Sequence, residues 1–347
     1  MNINDKIKTI GVVTTSRADY GIYLPILKKL RNSSFDLQLY VTGMHLSAEF
    51  GRTAEIISND GFQISETIEI LLSSDTPEAI SKSMGLGVIG FSQCFSKNRP
   101  DILLVLGDRF EMYSAVIAAL PYKIPVAHIH GGEITQGAID DVIRHSITKH
   151  SHLHFVSTDE YARRVHQMGE EKWRIMVSGA PSLDNLNQIK LLNKNEVENL
   201  FNISLQKSPV MITFHPVTLE YEHTQWQINE LLSALTYINK PIVFTSPNAD
   251  TNSRMIINKI NQFVNKSEHS FFIKNLGTQA YFSLMNIAEM MIGNSSSGII
   301  ESASFKLPVL NIGTRQTGRV KGKNVIDADY KRESIVRAIN RAIDPVF

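Results

Sequence analysis

Met290-Met291-Ile292-Gly293-Asn294-Ser295-Ser296-Ser297-Gly298-Ile299-Ile300-Glu301 is the stretch whose reading decides the fold. An apolar run feeds a Gly/Asn/Ser turn, and the turn opens a segment of helical character. A strand that runs through such a turn into a helix is the repeating element of a doubly wound α/β sheet. The turn aims free backbone N–H groups and three hydroxyls at one point, at the positive end of the helix that follows, where a phosphate is favoured. Glu301, about one turn further on, is placed to accept from a sugar hydroxyl beside that phosphate. The plain alternative is an ordinary Ser-rich helix cap, and this segment alone leaves both open.

Working outward, the same unit recurs along the chain. Short apolar runs at 9–14, 36–41, 102–106, 126–129 and 154–157 are strand candidates in the first half. Those at 210–214, 242–245, 270–273, 290–293 and 309–312 follow in the second. Stretches at 22–30, 110–119, 140–149 and 225–235 carry helical periodicity between them. Fully apolar strands alternating with helices predict parallel sheets covered on both faces. A break at Gly179-Ala180-Pro181 and a polar stretch to Pro209 place a boundary there. The expected domains are 1–180 and 181–330, both Rossmann-like, with the active site in the cleft between them. A closing helix in 331–347 is expected to pack back on the first domain.

Length and composition agree. A chain of 347 residues exceeds the usual single-core limit. With 35 basic and 34 acidic residues the net charge is +1, which gives nucleic acid no electrostatic footprint. No apolar run is long enough to span a bilayer, and Met1 to Lys8 lacks a leader's apolar core. The single cysteine, Cys94, suits a reducing compartment, so a cytoplasmic location is expected.

One tempting motif fails. Gly85-Leu86-Gly87-Val88-Ile89-Gly90 matches the dinucleotide fingerprint, but residues 77–84 before it read as helix, where the fingerprint requires a strand. Close packing of a helix explains these glycines better than a nicotinamide cofactor, and none is expected.

In doubly wound sheets ligands bind where strands end in loops. Those loops here are rich in chemistry: Ser16-Arg17-Ala18-Asp19-Tyr20-Gly21, Gly107-Asp108-Arg109, His130-Gly131-Gly132-Glu133, Phe214-His215-Pro216, Ser246-Pro247-Asn248-Ala249-Asp250 and residues 313–319. Asp108, Glu133, Asp140 and Asp141 suggest general acid–base work, although Asp140 and Asp141 equally suit a helix start with an ion pair from Asp140 to Arg144. Arg17, His215, Arg315 and Arg319 suit a diphosphate, with Arg319 also readable as a surface residue in a basic run. The span from His128 to His154 holds six of the 11 histidines. No cysteine accompanies them and no His-x-x-x-His pair sits on a helix beside a carboxylate, so a metal is disfavoured and structural or substrate-contacting roles are preferred.

Taken in order, these motifs, with Val41-Thr42-Gly43-Met44-His45, Ile143-Arg144-His145-Ser146-Ile147-Thr148-Lys149 and Gly313-Thr314-Arg315-Gln316-Thr317-Gly318-Arg319, resemble those of the hydrolysing UDP-N-acetylglucosamine 2-epimerases across essentially the whole chain. The resemblance implies a glycosyltransferase-B type fold and conversion of a UDP-2-acetamido sugar to UDP and the free 2-epimer. It also implies a homodimer or homotetramer and no cofactor or metal. By the same resemblance Arg17, His215, Ser295 and Ser296 hold the diphosphate and Glu301 the ribose. Asp108, Glu133 and Asp140 or Asp141, with His215, form the catalytic set. The remaining implied substrate contacts are Asp19, His45 and Arg109 from the first loops, and His130, Arg144 and His145 around the histidine-rich span. From the second half come Asn248, Asp250, Gly277, Ser297, Arg315 and Gly318. Two departures stand out. Non-hydrolysing cousins carry a carboxylate where this chain has His130, and family members run somewhat longer than Phe347, so a truncated end or a short closing helix is expected.

The chemistry is demanding because the C2 hydrogen has no neighbouring carbonyl. Breaking the anomeric C–O bond builds positive charge at C1 and acidifies C2–H, so the site must stabilise departing UDP while a base takes the proton. A glycal results, and protonation from the opposite face with addition of water completes the reaction. A glycosyltransferase of the same fold and a catalytically silent UDP-sugar binding protein are the alternatives. The first would need an acceptor and exchange no hydrogen at C2, and the second would turn nothing over.

Overall fold

The computed structural model describes residues 7–344 and 347, so the segment Met1 to Lys8 read above falls largely outside it. The described chain divides into two compact units. One comprises 7–133 and Asp140–Asn187, the other Ile134–Ile139 and the chain from Gln188.

In the first unit, strands β1 (Thr9–Thr14), β2 (Asp36–Thr42), β3 (Glu66–Ile68), β4 (Ile102–Leu106), β5 (Val126–Ile129), β6 (Leu153–Val156) and β7 (Ile175–Val177) form a parallel sheet in the order β3-β2-β1-β4-β5-β6-β7. Val12, Val13, Leu39, Val41, Leu103 and Val105 are fully buried, because helices cover both faces. The helix Arg17–Arg31 starts at a Ser16 cap whose side chain accepts from Asp19 N–H, while Asp19 answers to the cap backbone. The helix Pro77–Lys97 contains all three fingerprint glycines. A Cβ on Gly87 would stand 2.7 Å from Ser114 Cβ and one on Gly90 2.5 Å from Ile68 Cγ2, so two of them serve close packing.

In the second unit, β8 (Val210–Thr213), β9 (Ile242–Thr245), β10 (Ser270–Ile273), β11 (Met290–Gly293), β12 (Val309–Ile312) and β13 (Val325–Ala328) repeat the pattern in the order β10-β9-β8-β11-β12-β13. Both sheets therefore reverse strand order once, between β1 and β4 and between β8 and β11. That is the position where doubly wound sheets bind ligands.

Three short strands escape the periodicity reading: β3, β7 and β13. Each lies at a sheet edge and is incompletely buried, so no continuous apolar run marks it. The boundary also differs from Gly179-Ala180-Pro181. The 3₁₀ segment Pro181–Asn187 stays with the first unit, where buried Asn185 donates from Nδ2 to Gly21 O at 2.8 Å. The closing helix, Arg332–Ala342, places Ile335, Ala338 and Ile339 in the second unit's core among Leu310, Ile312 and Leu231, instead of returning to the first domain.

Residues 134–139 had no place in a simple two-halves reading. They pack on the loop after β12: Gln136 N–H donates to Thr317 O at 3.3 Å, and a Cβ on Gly137 would meet Thr314 O at 2.7 Å. Ile139 N–H donates to Thr218 Oγ1 at 2.8 Å. Among the described residues no helix is long and apolar enough to cross a membrane.

Candidate active site

The loop after β1 is organised around Asp19. Its buried carboxylate accepts from Thr15 N–H at 3.1 Å, Ser16 N–H at 3.0 Å, Thr15 Oγ1 at 2.6 Å and the Thr14 hydroxyl. Thr14 Oγ1 also meets His45 Nε2 at 3.0 Å, and His45 Nδ1 meets Thr53 Oγ1 at 2.7 Å. Burial pushes the His45 imidazole down to about 4. Asp19 and His45, both implied substrate contacts, are thus committed to the loop's own structure. Arg17 stands in the first turn of the helix they cap. Burial lowers its pKa against the opposing pull of Asp60, and its buried Nε has no hydrogen-bond partner. A guanidinium so placed is suited to an anion.

The loops after β4 and β5 hold the acidic groups. Asp108 is paired with Arg144, which is almost fully buried. Arg109 forks both oxygens of buried Glu111, at 3.1 and 2.8 Å. Asp141 pairs across one helical turn with His145 at 3.7 Å, at the start of the helix Asp140–His150 that also carries Asp140. Burial lowers the His145 pKa, opposed by Asp141. Glu133, 2% exposed, accepts from Ser157 Oγ at 2.8 Å and lies 2.6 Å from His130 Nδ1. Two other histidines of the region bond to the surrounding protein. His128 bonds Gly107 O at 2.7 Å and Thr148 Oγ1 at 3.2 Å, and burial drives its pKa to about 3. His154 reaches Glu170 at 3.3 Å.

In the second unit the loops after β8 and β11 are joined by one side chain. Asn294, fully buried, accepts from His215 N–H at 2.7 Å through Oδ1 and donates to His215 O at 2.9 Å through Nδ2. Its own carbonyl accepts from Arg315 at 3.1 Å and from Gln316 Nε2 at 2.8 Å. His215 Nδ1 accepts from Asn248 N–H at 3.1 Å, so the neutral ring carries its proton on Nε2 and is a donor. The loop that supplies Asn248 continues to half-buried Asp250. Gly293 permits the crossing: its φ is +146°, and a Cβ there would lie 1.9 Å from Thr213 O.

Ser295, Ser296 and Ser297 follow, all half-buried. Tyr281 bonds Ser295, Ser297 and Thr213, with its phenol raised to about 12, chiefly by burial. The helix they open, Ser297–Ile300, has a single turn, so the macrodipole expected from sequence contributes little; hydroxyls and turn N–H groups are what remain for a phosphate. Glu301 is buried just beyond. Gly277, at φ +67°, opens the helix Gly277–Ile287, and Gly318, at φ +85°, lies where a Cβ would strike Ile134 Cγ2 at 2.5 Å.

The structure thus gathers Asp108, Arg144, Glu133 and His130 in the first unit, and His215, Asn248, Ser295, Ser296, Arg315 and Glu301 in the second. Sequence reading missed Asn294, Gln316 and Tyr281. An Asn at a strand end followed by Ser was the one available sign, and it was absorbed into the capping interpretation.

Comparison with known proteins gives these two groups a context. Residues 28–346 match a protein family described as UDP-N-acetylglucosamine 2-epimerase. A GDP/UDP-N,N'-diacetylbacillosamine 2-epimerase (hydrolyzing) of Campylobacter jejuni is 42% identical over 325 residues, covering 93% of this chain and 84% of that one. Polysialic acid biosynthesis protein P7 of Escherichia coli is 40% identical, covering 98% and 87%. Among solved structures, the Methanocaldococcus jannaschii UDP-GlcNAc 2-epimerase in complex with UDP-GlcNAc and UDP has the same fold, with a TM-score of 0.81 at 19% identity over 97% of this chain and 93% of that one.

Proposed function

The chain belongs to the UDP-N-acetylglucosamine 2-epimerase family, and we propose that it is a hydrolysing 2-epimerase that converts a UDP-linked 2-acetamido sugar to UDP and the free 2-epimer. The second unit is assigned the nucleotide. His215 Nε2–H and the hydroxyls of Ser295 and Ser296 donate to the diphosphate, and Glu301 accepts from the ribose. Donors already fixed in place cost no reorganisation as charge develops on the departing UDP. The first unit is assigned the proton transfers, with Asp108, Glu133 and Asp140 or Asp141 as the acid–base set. The substrate is UDP-N-acetylglucosamine or its 4-acetamido-6-deoxy analogue, the second favoured by the 42% identity to the Campylobacter enzyme.

The observation that carries this assignment is the junction of β8 and β11. A histidine, locked from behind by Asn294 and Asn248, carries its N–H on Nε2 beside a serine turn at a sheet's switch point. Turnover in deuterated water with each UDP sugar tests it. The expected products are UDP and a free mannosamine-type sugar labelled at C2. Absence of both products with both substrates refutes it, and product formed only with an acceptor and without label identifies a transferase instead.

A further inference from the structure

We propose that His130, and not Glu133, is the group that exchanges a proton with C2 of the sugar, and that Glu133 is a positioning residue for it. This rests on the hydrolysing 2-epimerase assignment above and replaces Glu133 by His130 in its acid–base set.

Three observations carry it. First, His130 holds a left-handed backbone, φ +64°, directly after β5, with its N–H donating to Phe155 O at 3.0 Å. A non-glycine residue in this region costs about 1 kcal/mol, and Gly131 and Gly132 stand beside it, so the conformation is kept at a residue with a side chain. Second, the imidazole is fixed at one nitrogen only. Nδ1 is 2.6 Å from Glu133 Oε1, and that same oxygen accepts from Ser157 Oγ at 2.8 Å. An ionised carboxylate accepts and cannot donate, so Nδ1 carries the hydrogen and Nε2 the lone pair. Third, the competing groups are engaged. Glu133 is 2% exposed and its Oε1 serves two donors, whereas His128 has both ring nitrogens within hydrogen-bond distance of a partner. His130 has no bond at Nε2 among the described residues. It stands at the end of β5, beside β4, whose following loop holds Asp108.

In the forward step the C1–O bond breaks and its electron pair leaves on the diphosphate oxygen. The C2–H pair closes the C1–C2 double bond, and the proton forms Nε2–H. The resulting imidazolium lies against the Glu133 carboxylate, which stabilises it through the short Nδ1–H contact. The proton then passes to solvent, while a different group reprotonates C2 from the opposite face and water adds at C1.

The test uses the full chain with His130→Ala, Glu133→Gln and the double variant, measuring UDP release, deuterium at C2 and UDP affinity. His130→Ala is expected to lower kcat by about 10²–10⁴-fold, the usual worth of a positioned acid–base group. UDP affinity should stay within about threefold, and added imidazole should restore turnover in the vacated space. Glu133→Gln should lower kcat by a smaller factor, and the double variant should be no slower than His130→Ala alone, because the carboxylate acts only through the ring. If His130→Ala fails to fold, His130→Gln is read in its place. Turnover in the folded His130 variant within about threefold of the parent, or losses that multiply in the double variant, overturn the proposal. That failure differs from failure of the assigned function, in which the parent protein itself releases neither UDP nor free sugar.

Discussion

Replacing Asn294 tests most directly how the proposed nucleotide site is built. Its side chain is fully buried and satisfies two main-chain groups of His215, at 2.7 and 2.9 Å. Asn294→Ala strands one N–H and one C=O in the interior. Each unsatisfied buried group costs about 1–3 kcal/mol, so the sum is about 2–6. Water entering the vacated space recovers part of this, leaving an expected loss of about 2–4 kcal/mol. Asn294→Asp sharpens the experiment. It keeps an acceptor for the His215 N–H and sets a second acceptor against the His215 carbonyl, so it should be no more stable than the alanine variant. Urea denaturation followed by circular dichroism reads the loss as a lower midpoint at unchanged slope. Calorimetric titration should show UDP binding weakened by at least about tenfold, equal to about 1.4 kcal/mol, because His215 is no longer held. If Asn294→Ala unfolds within about 0.5 kcal/mol of the parent and binds UDP equally well, the side chain does not organise the site and the account of the β8–β11 junction is wrong.

Other outcomes follow from the same geometry. Ser296→Ala should weaken UDP binding by about tenfold or more, the worth of a hydrogen bond to a charged group, with little change in melting temperature; calorimetry beside a thermal melt decides it. Asp108→Asn should depress kcat by about 10²–10⁴-fold at nearly constant UDP affinity, measured by steady-state UDP release. Gly293→Ala should cost at least about 3 kcal/mol or abolish soluble expression, because its Cβ would stand 1.9 Å from Thr213 O at a φ of +146°. Acid should destabilise the fold in a defined window. His45 and His128 have folded pKa values near 4 and 3, below the unfolded value of about 6.5, so the unfolded chain takes up protons first as pH falls. Their contribution is present above pH 6.5 and lost toward pH 4 and 3, with a slope of up to about 1.4 kcal/mol per pH unit for each. His128→Gln should flatten the measured slope by one proton's worth.

What the chain reveals before folding depends on how much of each signal is local. Central strands such as β4, β9 and β11 were legible to the residue, because burial on both faces demands an unbroken apolar run. The edges β3, β7 and β13 were not, since one side of each is left to solvent and its composition records that. At the sites, residue types were legible and their partners were not. Asp19 looks like any loop carboxylate until five donors are seen around it, and nothing local announces that Arg144 reaches Asp108 in another loop. The pairing of His130 with Glu133 spans only three residues, yet it needs the left-handed turn, which periodicity does not report.

Residues 134–139 have a consequence for modularity. The chain changes unit after Glu133 and again after Ile139, well before the crossing at Asn187, so no single cut yields two self-sufficient pieces. A fragment beginning at Gln188 lacks the partners of Thr317 and Thr218, and a fragment ending at Asn187 carries a six-residue strap with nothing of its own to bind. Grafting a relative's second unit onto this chain therefore requires carrying 134–139 along with it. Exchange at one crossover point alone would leave the loop at 313–319 facing a strap selected for a different surface.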